Sequence, residues 1–233
     1  MPYLHINCFW ALAKYKEGRY RIMKNKRRIF LTGAGFLAAF VLWTVLVCFV
    51  NKEAIGPEGS SVGFAAINGF VHELTGVNWF LYTITDWLGL VPIAVAFGFA
   101  FLGLVQLIKR KTLCKVDRDI LALGLFYITV MAIYILFEML VINYRPTLID
   151  GYLEASYPSS TTMLVMCVMP TAAMQLNTRI KNTVLRRWMI IIIIAFIAFM
   201  VIGRLLSGVH WITDIIGGAL FSLGIVLIYK SFI

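Results

Sequence analysis

Charge is scarce in this sequence. Of its 233 residues 14% are Asp, Glu, Lys or Arg, only 11 of them acidic, against 61% hydrophobic. With a mean hydropathy of +0.87, that scarcity excludes an ordinary water-soluble domain of this length. Cysteine is nearly as rare. The four residues, Cys8, Cys48, Cys114 and Cys167, show no C-x-x-C spacing, so neither a zinc site nor a disulfide framework is indicated, and Cys48 and Cys167 fall inside apolar runs as small hydrophobes. No metal or other cofactor is expected. No short apolar core with a small-residue cleavage site precedes the first long run, so no cleavable signal peptide is expected. Internal repeats and low-complexity tracts are missing too, and no loop is long enough for a separate soluble domain.

What is abundant is apolar sequence in runs of about 20 residues, the length that crosses a bilayer. Six such runs, 29–50, 88–108, 120–142, 161–176, 188–206 and 211–229, predict an all-α polytopic membrane protein with six transmembrane helices. The fourth is short, and Pro170 is expected to kink it. Of the 21 Lys and Arg, all but Lys52, Arg145 and Arg204 lie before the first run, in 109–118, in 179–187 or at Lys230. The positive-inside rule makes those segments, and both termini, cytoplasmic. The net charge of +10 therefore reports topology rather than a nucleic-acid partner. The expected organisation is a basic cytoplasmic segment, 1–28, followed by one membrane domain, 29–233, in a cell membrane, a bacterial cytoplasmic one. Between the first two spans, the outer segment 51–87 spaces Phe64, Ile67, Phe70, Val71, Leu74, Val77, Phe80, Leu81 and Ile84 by threes and fours. That spacing suggests an amphipathic helix lying along the outer leaflet.

Polar residues near a membrane are costly to keep. Those worth weighing are Glu138, Arg145, the run Pro158-Ser159-Ser160-Thr161, Arg204, His210 and Asp214, each at the outer end of a span. His210 and Asp214, four apart at the start of the last helix, share one face. The carboxylate can then fix the imidazole tautomer and support a nucleophile or base; alternatively, Asp214 serves the helix dipole and His210 is an interfacial aromatic. Arg145 and Arg204 suit a phosphate gripped by paired hydrogen bonds, or else snorkel to lipid headgroups. The Pro-Ser-Ser-Thr run is a helix start whose free N–H groups bind an anion, or a plain N-cap.

Arg145-Pro146, then Pro158-Ser159, then Gly203-Arg204 running through Gly208-Val209-His210-Trp211 to Asp214-Ile215-Ile216-Gly217-Gly218, resembles in order, spacing and topology the three-part signature of the type 2 phosphatidic acid phosphatase superfamily. The resemblance covers residues from about 29 to the end, and the third part is the specific one. It implies a metal-independent lipid phosphatase with a phosphorylated lipid substrate. In that reading His210 attacks phosphorus to form a phosphohistidine, Asp214 orients it, and Arg145, Ser159, Arg204 and the backbone at Ser160 hold the phosphate oxygens. Phosphoryl transfer needs mainly positioning and charge stabilisation, which this set supplies.

The chain departs mildly from the family pattern at Gly203, where the third part begins with a serine, and at Ser160, where the second part has a glycine, and more consequentially at two positions. Glu138 stands where the family has a lysine, and Thr161 where it has the histidine that protonates the leaving group and activates water. Threonine does neither near neutral pH. Substitute acids on the outer side are His72, one of only three histidines, and Glu138; the plainer readings make His72 an interfacial residue and Glu138 the structural partner of an arginine. The function expected is a lipid phosphatase or diphosphatase at the extracytoplasmic leaflet. The alternatives are a lipid phosphotransferase with the same covalent chemistry, or a degenerate member that binds or moves phospholipids without turnover. The sequence leaves the oligomeric state open.

Overall fold

The computed structural model describes residues 3–233, with side chains from Tyr20 onwards; what the sequence predicts for the side chains of the basic segment before Tyr20 lies outside the described residues. Eight α-helices follow one another: α1 (Tyr3–Phe49), α2 (Ala65–Thr75), α3 (Trp79–Leu88), α4 (Leu90–Arg110), α5 (Arg118–Leu140), α6 (Ser160–Arg179), α7 (Thr183–Leu206) and α8 (Ile212–Phe232). Among the described residues the only β pairing is three isolated antiparallel bridges. The fold is therefore all-α, as the apolar runs predict, and the helix limits fall within a few residues of the run limits except at α1, which begins at Tyr3 rather than at 29 and so carries the basic segment and the first run in one helix.

Among the described residues, five units are long and apolar enough to cross a membrane: Tyr20–Phe49, Trp79–Arg110, Arg118–Leu140, Thr183–Leu206 and Ile212–Phe232. The expected fourth span, 161–176, forms α6, which continues through Pro170 but is not among the five. Its composition follows from its surroundings. α6 is packed against α4, α5, α7 and α8, and nine of its 20 residues are buried. A helix wrapped by protein satisfies polar side chains internally. Thr171 donates to the Cys167 carbonyl at 2.9 Å, and Gln175 donates to the Tyr229 hydroxyl at 2.7 Å.

The segment 51–87 departs from the sequence expectation of one interfacial helix. Gly76, at φ 58°, breaks it. The first piece, α2, is amphipathic, burying Ala65 and Asn68 while exposing Ile67, Phe70 and Leu74, and it rests on α8. The second, α3, starts at Asn78, whose side chain accepts from the Leu81 N–H at 3.0 Å. It packs along α7 and passes through the single residue Gly89 into α4. After the break at Gly76, the face of α3 that carries the buried Thr85 meets α7, while Phe80 and Trp87 remain exposed.

The largest helix interface joins α1 to α8. Small residues make it close: a Cβ on Gly33 would lie 2.8 Å from the Gly224 carbonyl oxygen, and one on Gly224 2.7 Å from Leu37. At one end of the bundle, Arg179 pairs with Asp119 at 2.8 Å and Arg110 with Asp117 at 2.7 Å. The C-terminal ends of α5 and α7 and the N-terminal ends of α6 and α8 come together at the other end, where all the singled-out polar residues sit.

Candidate active site

The centre is the start of α8. Gly208 makes the turn out of α7 with φ 68°, and a Cβ there would lie 1.8 Å from the Gly76 carbonyl oxygen. The next residues, Val209, His210 and Trp211, are buried. Thr213 anchors the turn from three sides: its carbonyl accepts from Trp43 Nε1 at 3.1 Å, its hydroxyl accepts from Asn68 Nδ2 at 3.0 Å, and its N–H donates to Asn68 Oδ1 at 3.3 Å. The segment 51–87 therefore clamps the site through Asn68. Its α2 also brings His72 against Trp211, ring centroids 5.5 Å apart.

His210 is buried between a carboxylate and a guanidinium. Its Nδ1 lies 3.6 Å from Asp214 Oδ2, close but without an aligned hydrogen bond. Its Nε2 lies 3.2 Å from Arg145 Nη1. A guanidinium only donates, so Nε2 is the accepting nitrogen and the ring proton belongs on Nδ1 beside Asp214. Burial first, then the Arg145 and Arg204 charges, hold the imidazole well below its usual 6.5, with the Ser156 backbone opposing. The ring is thus neutral at physiological pH. Asp214 is fully buried; its Oδ2 accepts from the Trp211 N–H at 3.0 Å and its Oδ1 from Asn143 Nδ2 at 3.4 Å.

Arg145 arrives on a hairpin-like loop after α5. Its N–H donates to the Glu154 carbonyl at 3.0 Å, and its Nε forms an ion pair with Glu154 Oε2 at 3.0 Å. Arg204, the last-turn cation of α7, is 1% exposed. Helix α3 holds it: Nη1 donates to Thr85 Oγ1 at 3.4 Å, Nη2 faces Asp86 Oδ1 at 3.6 Å, and its Cζ stands 4.9 Å from the Tyr82 ring centroid. Arg145 and Arg204 are near enough to act on one another and on His210 electrostatically.

Ser159 precedes α6, following a cis Tyr157-Pro158 bond. Its N–H donates to the Asp214 carbonyl at 3.1 Å, tying the start of α6 to the start of α8. This approach needs Gly217 and Gly218, since a Cβ on Gly217 would lie 2.7 Å from the Tyr157 ring and one on Gly218 3.1 Å from the Ser159 carbonyl oxygen. The Ser159 hydroxyl is buried without a hydrogen-bond partner, as are the Thr162 hydroxyl and the Arg204 Nε. With the Arg145 guanidinium beside His210, these unsatisfied buried donors suit a tetrahedral oxyanion. Ser160 and Thr161 form the first turn of α6 and are half-buried.

The two candidate substitute acids are placed differently. Glu138 is exposed at the end of α5, within reach of the Arg145 and Glu154 charges. His72 lies in the last turn of α2; burial lowers its pKa and Glu73 partly offsets that. Sequence reasoning missed Asn143, Ser156 and Thr85 as neighbours of the site, and Asp86 and Glu154 as the partners of Arg204 and Arg145. Asn143, a lone polar residue two positions before Arg145, was the available signal.

Residues 60–233 match the PAP2 superfamily. The fold is similar to the crystal structure of the first transmembrane PAP2 type phosphatidylglycerolphosphate phosphatase from Bacillus subtilis, with a TM-score of 0.53 and 20% sequence identity over 85% of this chain and 93% of that one. No curated protein matches.

Proposed function

This chain belongs to the PAP2 superfamily, and from that membership we propose that it is a lipid phosphatase or diphosphatase acting at the extracytoplasmic leaflet through a phosphohistidine on His210. The observation that carries the reading is the neutral, buried imidazole with Asp214 behind Nδ1 and Arg145 in front of Nε2. In the first step the Nε2 lone pair attacks phosphorus, a P–N bond forms, and the P–O bond to the leaving group breaks with the electron pair going to oxygen. Arg145, Arg204, Ser159 and the Ser160 N–H hold the non-bridging oxygens, and Asp214 stabilises the developing imidazolium. In the second step water attacks phosphorus, a P–O bond forms, the P–N bond breaks with its electron pair returning to Nε2, and the water proton leaves with the released phosphate or to solvent, so that His210 is again neutral.

The substrate class follows from Thr161. A phosphate monoester expels an alkoxide whose conjugate acid has a pKa of roughly 15, judged against water, and an enzyme lacking a general acid forfeits about 10²–10⁴-fold on such a step. A diphosphate expels a phosphate, whose second ionisation lies at about 6. It leaves unprotonated near neutral pH. The favoured substrates are therefore lipid diphosphates, a polyprenyl diphosphate among them, with Glu138 or His72 the groups to supply a proton where one is needed.

We read α6 as a sixth crossing. Twenty residues at about 1.5 Å each give about 30 Å, the hydrocarbon thickness of a bilayer. Six crossings put both termini, and the basic ends of α4 and α7, on the cytoplasmic side. The site then faces outward, in a cell membrane of bacterial type. Thr161 also favours a second reading, a member that binds or moves phospholipid without turnover. A phosphate-release assay on purified protein across polyprenyl diphosphate, diacylglycerol diphosphate, phosphatidate and phosphatidylglycerol phosphate decides between them. Release from the diphosphates exceeding release from the monoesters supports the first reading; no release from any supports the second. Product analysis with an added acceptor alcohol separates hydrolysis from phosphotransfer.

A further inference from the structure

Three consecutive residues after α5 each meet the start of α8. Arg145 Nη1 faces His210 Nε2 at 3.2 Å, the Tyr144 carbonyl accepts from Trp211 Nε1 at 2.7 Å, and Asn143 Nδ2 donates to Asp214 Oδ1 at 3.4 Å. Segment 143–145 thus touches the histidine from the front and its carboxylate partner from behind. Asn143 is 1% exposed. The orientation of its amide is not arbitrary: the Gly63 N–H donates to Oδ1 at 3.4 Å, which requires the oxygen on that side and leaves Nδ2 for Asp214. Its main chain is fixed as well, the carbonyl accepting from the Ser156 N–H at 2.9 Å and the Ser156 hydroxyl at 3.1 Å.

The two oxygens of Asp214 therefore have separate tasks. Oδ2 accepts from the Trp211 N–H and faces His210. Oδ1 is bound by Asn143, with the Ser156 side chain, itself held on the Asn143 carbonyl, also reaching the carboxylate. Free to rotate, the carboxylate has two equivalent orientations and a variable distance to the ring. Held at Oδ1, it has one.

We propose that Asn143 is a positioning residue for the Asp214–His210 pair, its carboxamide fixing the carboxylate so that the ring proton stays on Nδ1 and Nε2 is bare toward phosphorus. The catalytic consequence rests on the phosphohistidine reading above; the geometric one does not. The charged and titratable groups around the pair are the Arg145 guanidinium from the hairpin, the Arg204 guanidinium from α7 and the Tyr157 phenol from the loop before α6.

Two variants of closely similar size test this. Asn143→Leu removes the donor. It should lower kcat by about 10–100-fold, the factor for losing a hydrogen bond to a charged group, leave KM within about twofold, and shift the His210 15N resonances toward mixed tautomers. Asn143→Asp places a second carboxylate beside the first, and such a pair shares one proton. Its protonated form donates as the amide does, so activity and the Nδ1–H tautomer should recover as pH falls. Asn143→Leu should show no such recovery. Wild-type tautomer and kcat in a folded Asn143→Leu protein, or a wild-type pH profile in Asn143→Asp, would overturn the proposal. If the wild type hydrolyses none of the lipids, the phosphatase reading fails, while the imidazole resonances still decide what Asn143 does.

Discussion

At the residue scale the account turns on an imidazole kept neutral by its surroundings. Burial and two guanidiniums depress the His210 pKa below 6.5, so the unfolded chain takes up a proton at a higher pH than the folded one does. By linkage, the stabilising contribution is whole above 6.5 and is lost as pH falls through the folded value. The melting temperature should therefore decline on acidification below 6.5, and His210→Asn should flatten the decline, leaving the smaller part due to His72, which is depressed in the same direction. An unchanged slope in His210→Asn contradicts this. The missing acid gives a second prediction. Thr161→His should raise the rate on phosphatidate more than the rate on a diphosphate, up to the 10²–10⁴-fold a general acid supplies; equal gains on both refute the leaving-group argument. The residues of this site divide by how they can be read. His210 and Asp214 are legible because they stand four residues apart at the entry to the last helix, although His210 itself precedes α8, and Arg145, Ser159 and Arg204 because each falls in a family pattern. Asn143 and Thr85 are not, because their partners lie 71 and 119 residues away, and only the packed bundle brings them together.

At the element scale, apolar runs give the helices from α4 to α8 to within a few residues, but not the early start of α1, the division of 51–87, or how each helix is used. Helix α6 is short of apolar residues for a lipid-facing span because other helices surround it, and a hydropathy run cannot distinguish that from a marginal segment. The outer segment has the amphipathic period of a surface helix, yet Gly76 divides it and α3 meets α7. That division has a test. Gly208 requires both a left-handed backbone and close contact with Gly76, so Gly208→Ala carries about 1–2 kcal/mol for the backbone alone plus the clash, and should lower the melting temperature and detach the α2–α3 corner. Gly35→Ala, in α1 with nothing within 4 Å of its Cβ, should be neutral or stabilising by up to about 1 kcal/mol. Equal melting temperatures for the two variants would remove the corner from the account.

At the scale of the whole molecule, one end of the bundle carries the buried His, Asp and Arg groups and the other the Arg–Asp pairs and most of the Lys and Arg. The proposed orientation, by the positive-inside rule, has the site outside. Cys114, exposed in the basic loop after α4, should resist an impermeant maleimide in intact cells, whereas a cysteine at Glu58 should react; the opposite pattern would place the site on the cytoplasmic face. The central claim is chemical, and rapid quenching of the purified enzyme with polyprenyl diphosphate labelled in its terminal phosphate tests it most directly. The account predicts an acid-labile, alkali-stable phosphoprotein that maps to His210, disappears with turnover and does not form in His210→Ala. Turnover with no phosphate on His210, or full activity in His210→Ala, would contradict it.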